Sequence, residues 1–459
     1  MSQQPVATES VIDPETERAS DTATAEAIVG RMLDAATHAG ADAAEAGASL
    51  SRALTVAVRN AEVESLEFQR DRDLALTVYC GQRVGGASTS DWSDAGLRAA
   101  AEAAVAIARA SGEDACNGLP ERKDLATDFP ELDLFHPWMS DADAAIDHAR
   151  ACEAAALAVD ARIQQSEGAT LETGRGVSVL GNTHGFRGVR SGTRHGLSCA
   201  VIARVEDDMQ RDYWYTAGRV PAALLDADAV GRRAGERAVA RLGAQRLSTR
   251  RCPVLFPPEL ARSLWSALAG AATGASLYRR ASFLLDRAGS RIAAEGLRLE
   301  QQPHLPQALG SAAFDEEGVA TVQRDLVADG VLQHYLLSSY SARRLGLATT
   351  GNAGGVYNLV AHPTTDAGLE QLAADMGEGL LVTELMGQGV NTVTGDYSRG
   401  AAGYVVRNGT IAEPVDEITI AGNMLEMLQA VEAVGSDIDT RSGIHTGSVL
   451  IGAMTVAGS

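Results

Sequence analysis

Apolar residues spaced for one face of a helix open the readable part of the chain: Ile28, Val29, Met32, Leu33 and Ala36 recur until Gly40, which predicts an amphipathic helix. Short alternating runs follow, at Leu54, Val56 and Val58, at Leu66 and Phe68, at Leu74, Leu76 and Val78, and from Val84 onward. Asn60-Ala61-Glu62, Asp71-Arg72-Asp73 and Gly81-Gln82 read as turns between them, so the pattern predicts a four-stranded antiparallel meander. A second helix is expected after Ser93, a suitable N-cap, with Leu97, Ala101, Ala104, Val105 and Ala108 facing inward. The stretch Cys116 to Pro137 reads as a linker. An alanine-rich helix from about Asp141 to Val159, strands from Arg162 to Tyr215 broken at Gly181–Gly185, and a helix from about Asp228 to Leu242 complete the first half.

From Arg251 the texture changes to one helix of about a dozen residues after Pro257-Pro258, then short strands joined by glycine-rich turns. No alternation of strand with long helix is found there, which argues against a doubly wound nucleotide fold. The expectation is an α+β protein: a disordered tail over 1–21, an N-terminal domain of helices layered on antiparallel strands over 22–247 (subregions about 22–115 and 138–247), and a β-rich, barrel-like C-terminal domain over 248–459.

Composition narrows the function classes. Acidic residues outnumber basic ones 60 to 39, a formal charge of −21, which repels phosphate backbones and anionic lipid and speaks against nucleic-acid and membrane partners. Lys123 is the one lysine, set among Glu121, Arg122 and Asp124, so lysine-based catalysis has a single, solvated candidate. The five cysteines, Cys80, Cys116, Cys152, Cys199 and Cys252, are odd in number and widely spaced, consistent with buried free thiols in a reducing cytoplasm. The opening residues lack the basic and apolar regions of a secretion signal, and no run of apolar residues is long enough to span a bilayer.

The familiar catalytic signatures are missing: no H-E-x-x-H, no G-x-S-x-G, no S-x-x-K before Lys123, no P-loop and no strand-linked G-x-G-x-x-G. What stands out are polar and glycine-dense strings: Tyr335 to Gly346, Thr350 to Gly355, Gly387 to Gly403, Glu417 to Asn423, Asp437 to Gly443 and Met454 to Gly458, with Arg59 to Glu64 and Val84 to Ser90 in the first half. In this order, across roughly residues 25 to 458, the chain resembles the TldD/PmbA metalloprotease family on its PmbA (TldE) branch.

The resemblance implies a cytoplasmic protease of two related subunits acting on unstructured peptides. The catalytic, TldD-like subunit carries H-E-x-x-x-H on the helix that opens its last domain, and a later cysteine completes the zinc site. Here the corresponding helix, Glu259 to Gly270, has no histidine, and no cysteine follows Cys252. The expectation is therefore a noncatalytic, peptide-binding partner with no cofactor of its own, its zinc held by the TldD-like subunit, able to form a homodimer when alone. A self-sufficient hydrolase using Asp396 or Ser398, and a pure scaffold, are the alternatives.

Two segments are nominated as lining a shared peptide cavity: Gly351, Asn352, Gly354 and Gly355, which lack bulk where a backbone could approach, and Asn391, Thr394, Asp396, Ser398 and Arg399 around the turn at Gly395. Arg441 and Ser442 are added, and His334 and His445 adjoin the family strings. Each has a plainer counterpart: glycine strings serve turns and bulges, Asp396 with Arg399 suits a local ion pair or turn bond, and Trp92, Trp138, Trp214 and Trp265 suit core or interface anchors.

Overall fold

The computed structural model describes residues 13–139, 141–387 and 389–458. Helix α1 (Pro14–His38) buries the five apolar residues its periodicity singled out, and Asp13 caps it by accepting from the Thr16 amide at 3.1 Å. The expected tail is thus corrected: residues 14–21 are helical, because the Asp13 cap and Pro14 start the helix ahead of its apolar stripe, while residues 1–12 lie outside the described residues.

Strands β1 (Ala43–Arg59), β2 (Glu62–Cys80) and β3 (Arg83–Thr89) follow, then α2 (Asp94–Ala110), capped by Ser93 as the sequence predicts. The meander has three strands, not four. Asp71-Arg72-Asp73 pairs in register with Ser51, Leu50 and Ser49 of β1, so the polar run is the solvent-exposed part of one long strand. Helix α3 (Ala142–Leu157), β4 (Ile163–Asn182), β5 (Arg187–Val205), β6 (Asp208–Gly218) and α4 (Ala227–Ala240) complete the first half.

All six strands join one antiparallel sheet in the order β3-β2-β1-β4-β5-β6. Helices α1 and α2 cover one part of it and α3 and α4 the other, each pair closing its own apolar cluster. The α3–α4 contact is close because Gly231 packs on the α3 backbone, where an added methyl would sit 1.9 Å from the Cys152 carbonyl oxygen. The segment 116–137 is docked rather than free. Arg343 donates to the carbonyls of Cys116 (3.1 Å), Gly118 (2.9 Å) and Leu119 (2.5 Å), and Leu125 bridges to Val319.

The second half begins with β7 (Arg250–Phe256), α5 (Pro258–Ala271) and α6 (Gly274–Tyr278). A small sheet holds β8 (Leu299–Gln301), β9 (Arg324–Ala328), β10 (Val331–Leu332), β11 (Leu359–Ala361) and β16 (Ile444–His445), with α7 (Ser339–Leu345) and α8 (Leu369–Met376) outside it. Strands β12 (Gly379–Met386), β13 (Asp396–Arg407), β14 (Thr410–Asn423) and β17 (Val449–Ala457) join β7 in a closed barrel, and Thr419–Ala421 pairing with Ala457–Thr455 completes the ring. Helix α9 (Met424–Gln429) and β15 (Val431–Val434) lie beside it. Closure removes free edges from the barrel, so the barrel-like expectation holds. Trp265 of α5 is fully buried and its indole donates to Thr446 at 2.9 Å, fixing this helix against the rest of the domain. Among the described residues no helix is long and apolar enough to cross a membrane.

Candidate functional site: a cleft between the N-terminal and C-terminal domains

Strand β6 is the outer strand of the N-terminal sheet, and β5 is its one strand neighbour. Along its inner half runs a cleft of about 1030 Å³, whose other walls come from α4, the start of α5, Leu305–Leu309 and Asp437–Arg441. Arg441 is the hub. Its Nε and Nη2 each donate to Asp439 at 2.9 Å, and its Nη1 donates to the Tyr215 main-chain carbonyl at 2.7 Å. The guanidinium also lies over the rings of Trp214 (4.7 Å) and Tyr215 (4.5 Å). Burial works to raise the Asp439 carboxyl, but the Arg441 hydrogen bonds outweigh it and hold it below its ordinary value.

Around this hub the two domains are tied by charge. Asp212, almost fully buried, pairs with Arg237 at 3.1 Å and Arg241 at 3.6 Å, and Arg237 reaches Glu259 at the head of α5 at 3.5 Å. Arg262, one turn along α5, donates to the Tyr215 hydroxyl at 2.8 Å. Burial raises the Tyr215 phenol, so it is a neutral hydroxyl at ordinary pH. His445 lines the same cleft, 6 % exposed, with Nε2 unpartnered and its basicity lowered by burial. An unpartnered buried imidazole nitrogen is a polar group whose bonding capacity the fold leaves unused. Among the described residues no three His, Cys, Asp or Glu side chains are gathered so as to hold a metal ion.

The sequence-nominated residues separate. Arg441 stands in the cleft, while its neighbour Ser442 accepts from the Ile444 amide and donates to the Ile444 carbonyl in a local turn. The two nominated segments do not line this cleft. Gly351 and Gly354 have φ of +69° and +94°, and added methyls would meet the Ala320 carbonyl oxygen at 2.4 Å and the Glu316 carboxyl carbon at 2.6 Å. Asn352 is buried and donates to Gln301 and to the carbonyl of Gly355, so the glycine string is a wrapped turn. Asn391, Thr394, Asp396 and Ser398 are exposed at the β12–β13 connection. Asp396 accepts from Thr394 (2.7 Å) and Asn423 (3.3 Å), so of the two plain readings, ion pair or turn bond, the carboxylate takes the turn bonds and makes no ion pair with half-buried Arg399 among the described residues.

His334 is half-buried, and burial and then the Arg324 charge lower its imidazole from 6.5 to about 4. All five cysteines are free, Cys152 and Cys199 fully buried and the others half-buried. The residues that sequence reasoning missed are Asp212, Tyr215, Arg237 and Arg262. Their available signal was an acid-aromatic string, Asp212 to Tyr215, in a chain whose next helix carries Arg232, Arg233 and Arg237.

A layered α+β region joined to a closed barrel, with a peptide-sized cleft where they meet, fits a metallopeptidase family described in three parts. Profiles of that family match as PmbA/TldA metallopeptidase domain 1 over residues 44–108, central domain over 135–242 and C-terminal domain over 249–458. The chain belongs to the PmbA/TldD metallopeptidase family, on its PmbA branch. It is 46% identical to Metalloprotease PmbA of Escherichia coli O157:H7, over 91% of this chain and 92% of that one. It is 45% identical to the Metalloprotease PmbA homolog of Haemophilus influenzae, over 93% and 94%. Among solved structures, a Bacteroides thetaiotaomicron protein described as a proposed modulator of DNA gyrase superposes with a TM-score of 0.90, 27% identity and 95% and 99% coverage. TldE from Thermococcus kodakarensis shares the fold, with a TM-score of 0.83 at 20% identity over 94% and 100%.

Proposed function

We propose that this chain is the noncatalytic, peptide-gripping subunit of a cytoplasmic two-subunit zinc metalloprotease, and that a homologous TldD-like chain bearing H-E-x-x-x-H supplies the metal. One observation carries the reading: the head of α5, the helix that opens the C-terminal domain, meets the cleft with Glu259, which Arg237 engages, and one turn further on Arg262 is engaged by the Tyr215 hydroxyl. Among the described residues the donors around it are not gathered as a zinc ion needs, with three or four nitrogen, sulfur or oxygen ligands at close range.

The cleft's grip follows from its walls. Strand β6 offers main-chain groups along an outer edge, so an extended peptide can add to the sheet with little regard to its side chains. Trp214 and Tyr404 supply flat apolar surface, and His445 supplies a buried polar contact. Such a wall selects unfolded substrates, since a folded protein presents no free strand of sufficient length.

The test is direct. The purified chain alone should contain no stoichiometric zinc by elemental analysis and should leave an unstructured peptide intact. Mixing it with the H-E-x-x-x-H homologue should produce cleavage that a chelator abolishes. Peptide hydrolysis by the lone chain, or one tightly held metal ion per chain, overturns the proposal.

A further inference from the structure

A second cleft, of about 850 Å³, opens on the N-terminal sheet between the Phe129–Phe135 segment and Ser311–Phe314. Six arginines line it against three acids, Glu15, Glu131 and Asp133, in a chain whose acidic excess is 21. Three of the six are neutralised: Arg18 by Glu15 at 2.6 Å, Arg52 by Glu17 at 3.0 Å and by Asp21, and Arg175 by Glu17 at 2.6 Å.

The other three meet no carboxylate within ion-pair distance among the described residues. Arg190 donates to the main-chain carbonyls of Phe314 and Asp315. Arg219 donates to those of Ala308, Leu309 and Thr193. Arg194 is exposed and has no partner among the described residues. Burial, and then the nearby Arg194 charge, pull the Arg219 guanidinium below its ordinary value. Like charges held together against neutral carbonyls are an electrostatic cost that a bound anion removes.

We propose that this second cleft binds an acidic stretch of the peptide whose remainder lies along β6. The volume far exceeds that of a single small anion, and guanidinium forks match carboxylates in two-point contact. Arg219 lines both clefts, so a strand following β6 arrives at the arginines without leaving the protein wall. The inference rests on the peptide-binding reading above and adds a substrate class to it: unfolded peptides with a cluster of Asp or Glu.

Calorimetric titration of the full chain with two unstructured peptides of equal length, acetylated and amidated at their ends, tests it. One carries an acidic cluster that the other replaces with Ser and Asn. The acidic peptide should bind about tenfold more tightly at low salt, and Arg194→Glu should abolish that preference while leaving the neutral peptide's affinity unchanged. Arg194 is exposed and without a partner, so the variant should fold; Arg194→Lys should retain part of the preference. Equal affinities in the parent chain, or a preference that survives Arg194→Glu, overturn this inference and leave the peptide-binding reading standing. Binding of neither peptide overturns both. Inorganic phosphate binding as tightly as the acidic peptide, and depending on Arg194, overturns the peptide assignment in favour of a free-anion site.

Discussion

Glu45, near the start of β1, should make the protein's stability fall as pH rises through the neutral range, and replacing it with glutamine should remove that dependence. Its carboxyl is pushed from 4.5 up to about 8, by burial first and then by Glu317, Asp315 and Glu316 across the contact with the C-terminal domain. The folded carboxyl therefore keeps its proton at neutral pH, while the unfolded one has lost it. A raised acid value favours folding fully below about 4.5, and that contribution is lost as pH climbs through about 8. Each pH unit between those limits costs about 1.4 kcal/mol, which sets an upper limit of about 3 kcal/mol at pH 7. Near pH 5 the same arithmetic leaves less than about 1 kcal/mol. Glu45→Gln keeps the shape and removes the titration, so the variant should melt at higher temperature than the parent near neutrality, and the two should converge toward about pH 5. Thermal unfolding of both proteins across this range measures it. A difference in melting temperature that does not change with pH, or a glutamine variant less stable than the parent near neutrality, would refute the assignment of a protonated, like-charge-crowded carboxyl.

Two further perturbations probe the packing around the cleft. Arg441→Ala leaves Asp439 buried without its two-point partner and removes the cover from Trp214, so denaturation should show a loss of about 3 kcal/mol, with weaker peptide binding by calorimetry. In the parent chain the Asp439 carboxylate, held below its ordinary value, contributes stability above the unfolded carboxylate range that is lost in acid as pH falls through the folded value; that acid sensitivity should shrink in the variant. Gly231→Ala puts a methyl 1.9 Å from the Cys152 carbonyl oxygen and should force α3 and α4 apart, at a cost of about 2 kcal/mol by chemical denaturation.

The N-terminal half was legible because its signals are local. The apolar stripe of α1, the Ser93 cap of α2 and the turns at Asn60-Ala61 and Gly81-Gln82 each depend on a few consecutive residues, and all appear as expected. The misreadings are local too. Asp71-Arg72-Asp73 carries turn chemistry, yet it stays in β2 because β1 pairs with it residue by residue while solvent takes its side chains. Likewise the α1 stripe begins at Ala25, so nothing apolar announced the helix that Asp13 and Pro14 initiate.

The cleft was not legible for a different reason: its residues come from Asp212–Arg219, Arg233–Arg237, Glu259 and Asp437–Arg441, and no periodicity links segments so far apart. In sequence the Gly351–Gly355 string suited a turn somewhat better than a ligand approach, and positive φ with close contact to Ala320 and Glu316 explains Gly351 and Gly354 as turn glycines. Asp396 with Arg399 suited an ion pair or a turn bond alike in sequence, and the carboxylate takes the turn bonds, from Thr394 and Asn423. Arg441 looked equivalent to Ser442 in sequence, and only the docking of β6 separates them, by giving the guanidinium a carbonyl and two rings on the opposite domain while Ser442 turns back on Ile444. The charged and aromatic side chains that tie the two domains together are therefore the ones that also shape the cleft, so a substrate entering it meets groups already fixed by folding rather than loops that must be ordered on binding.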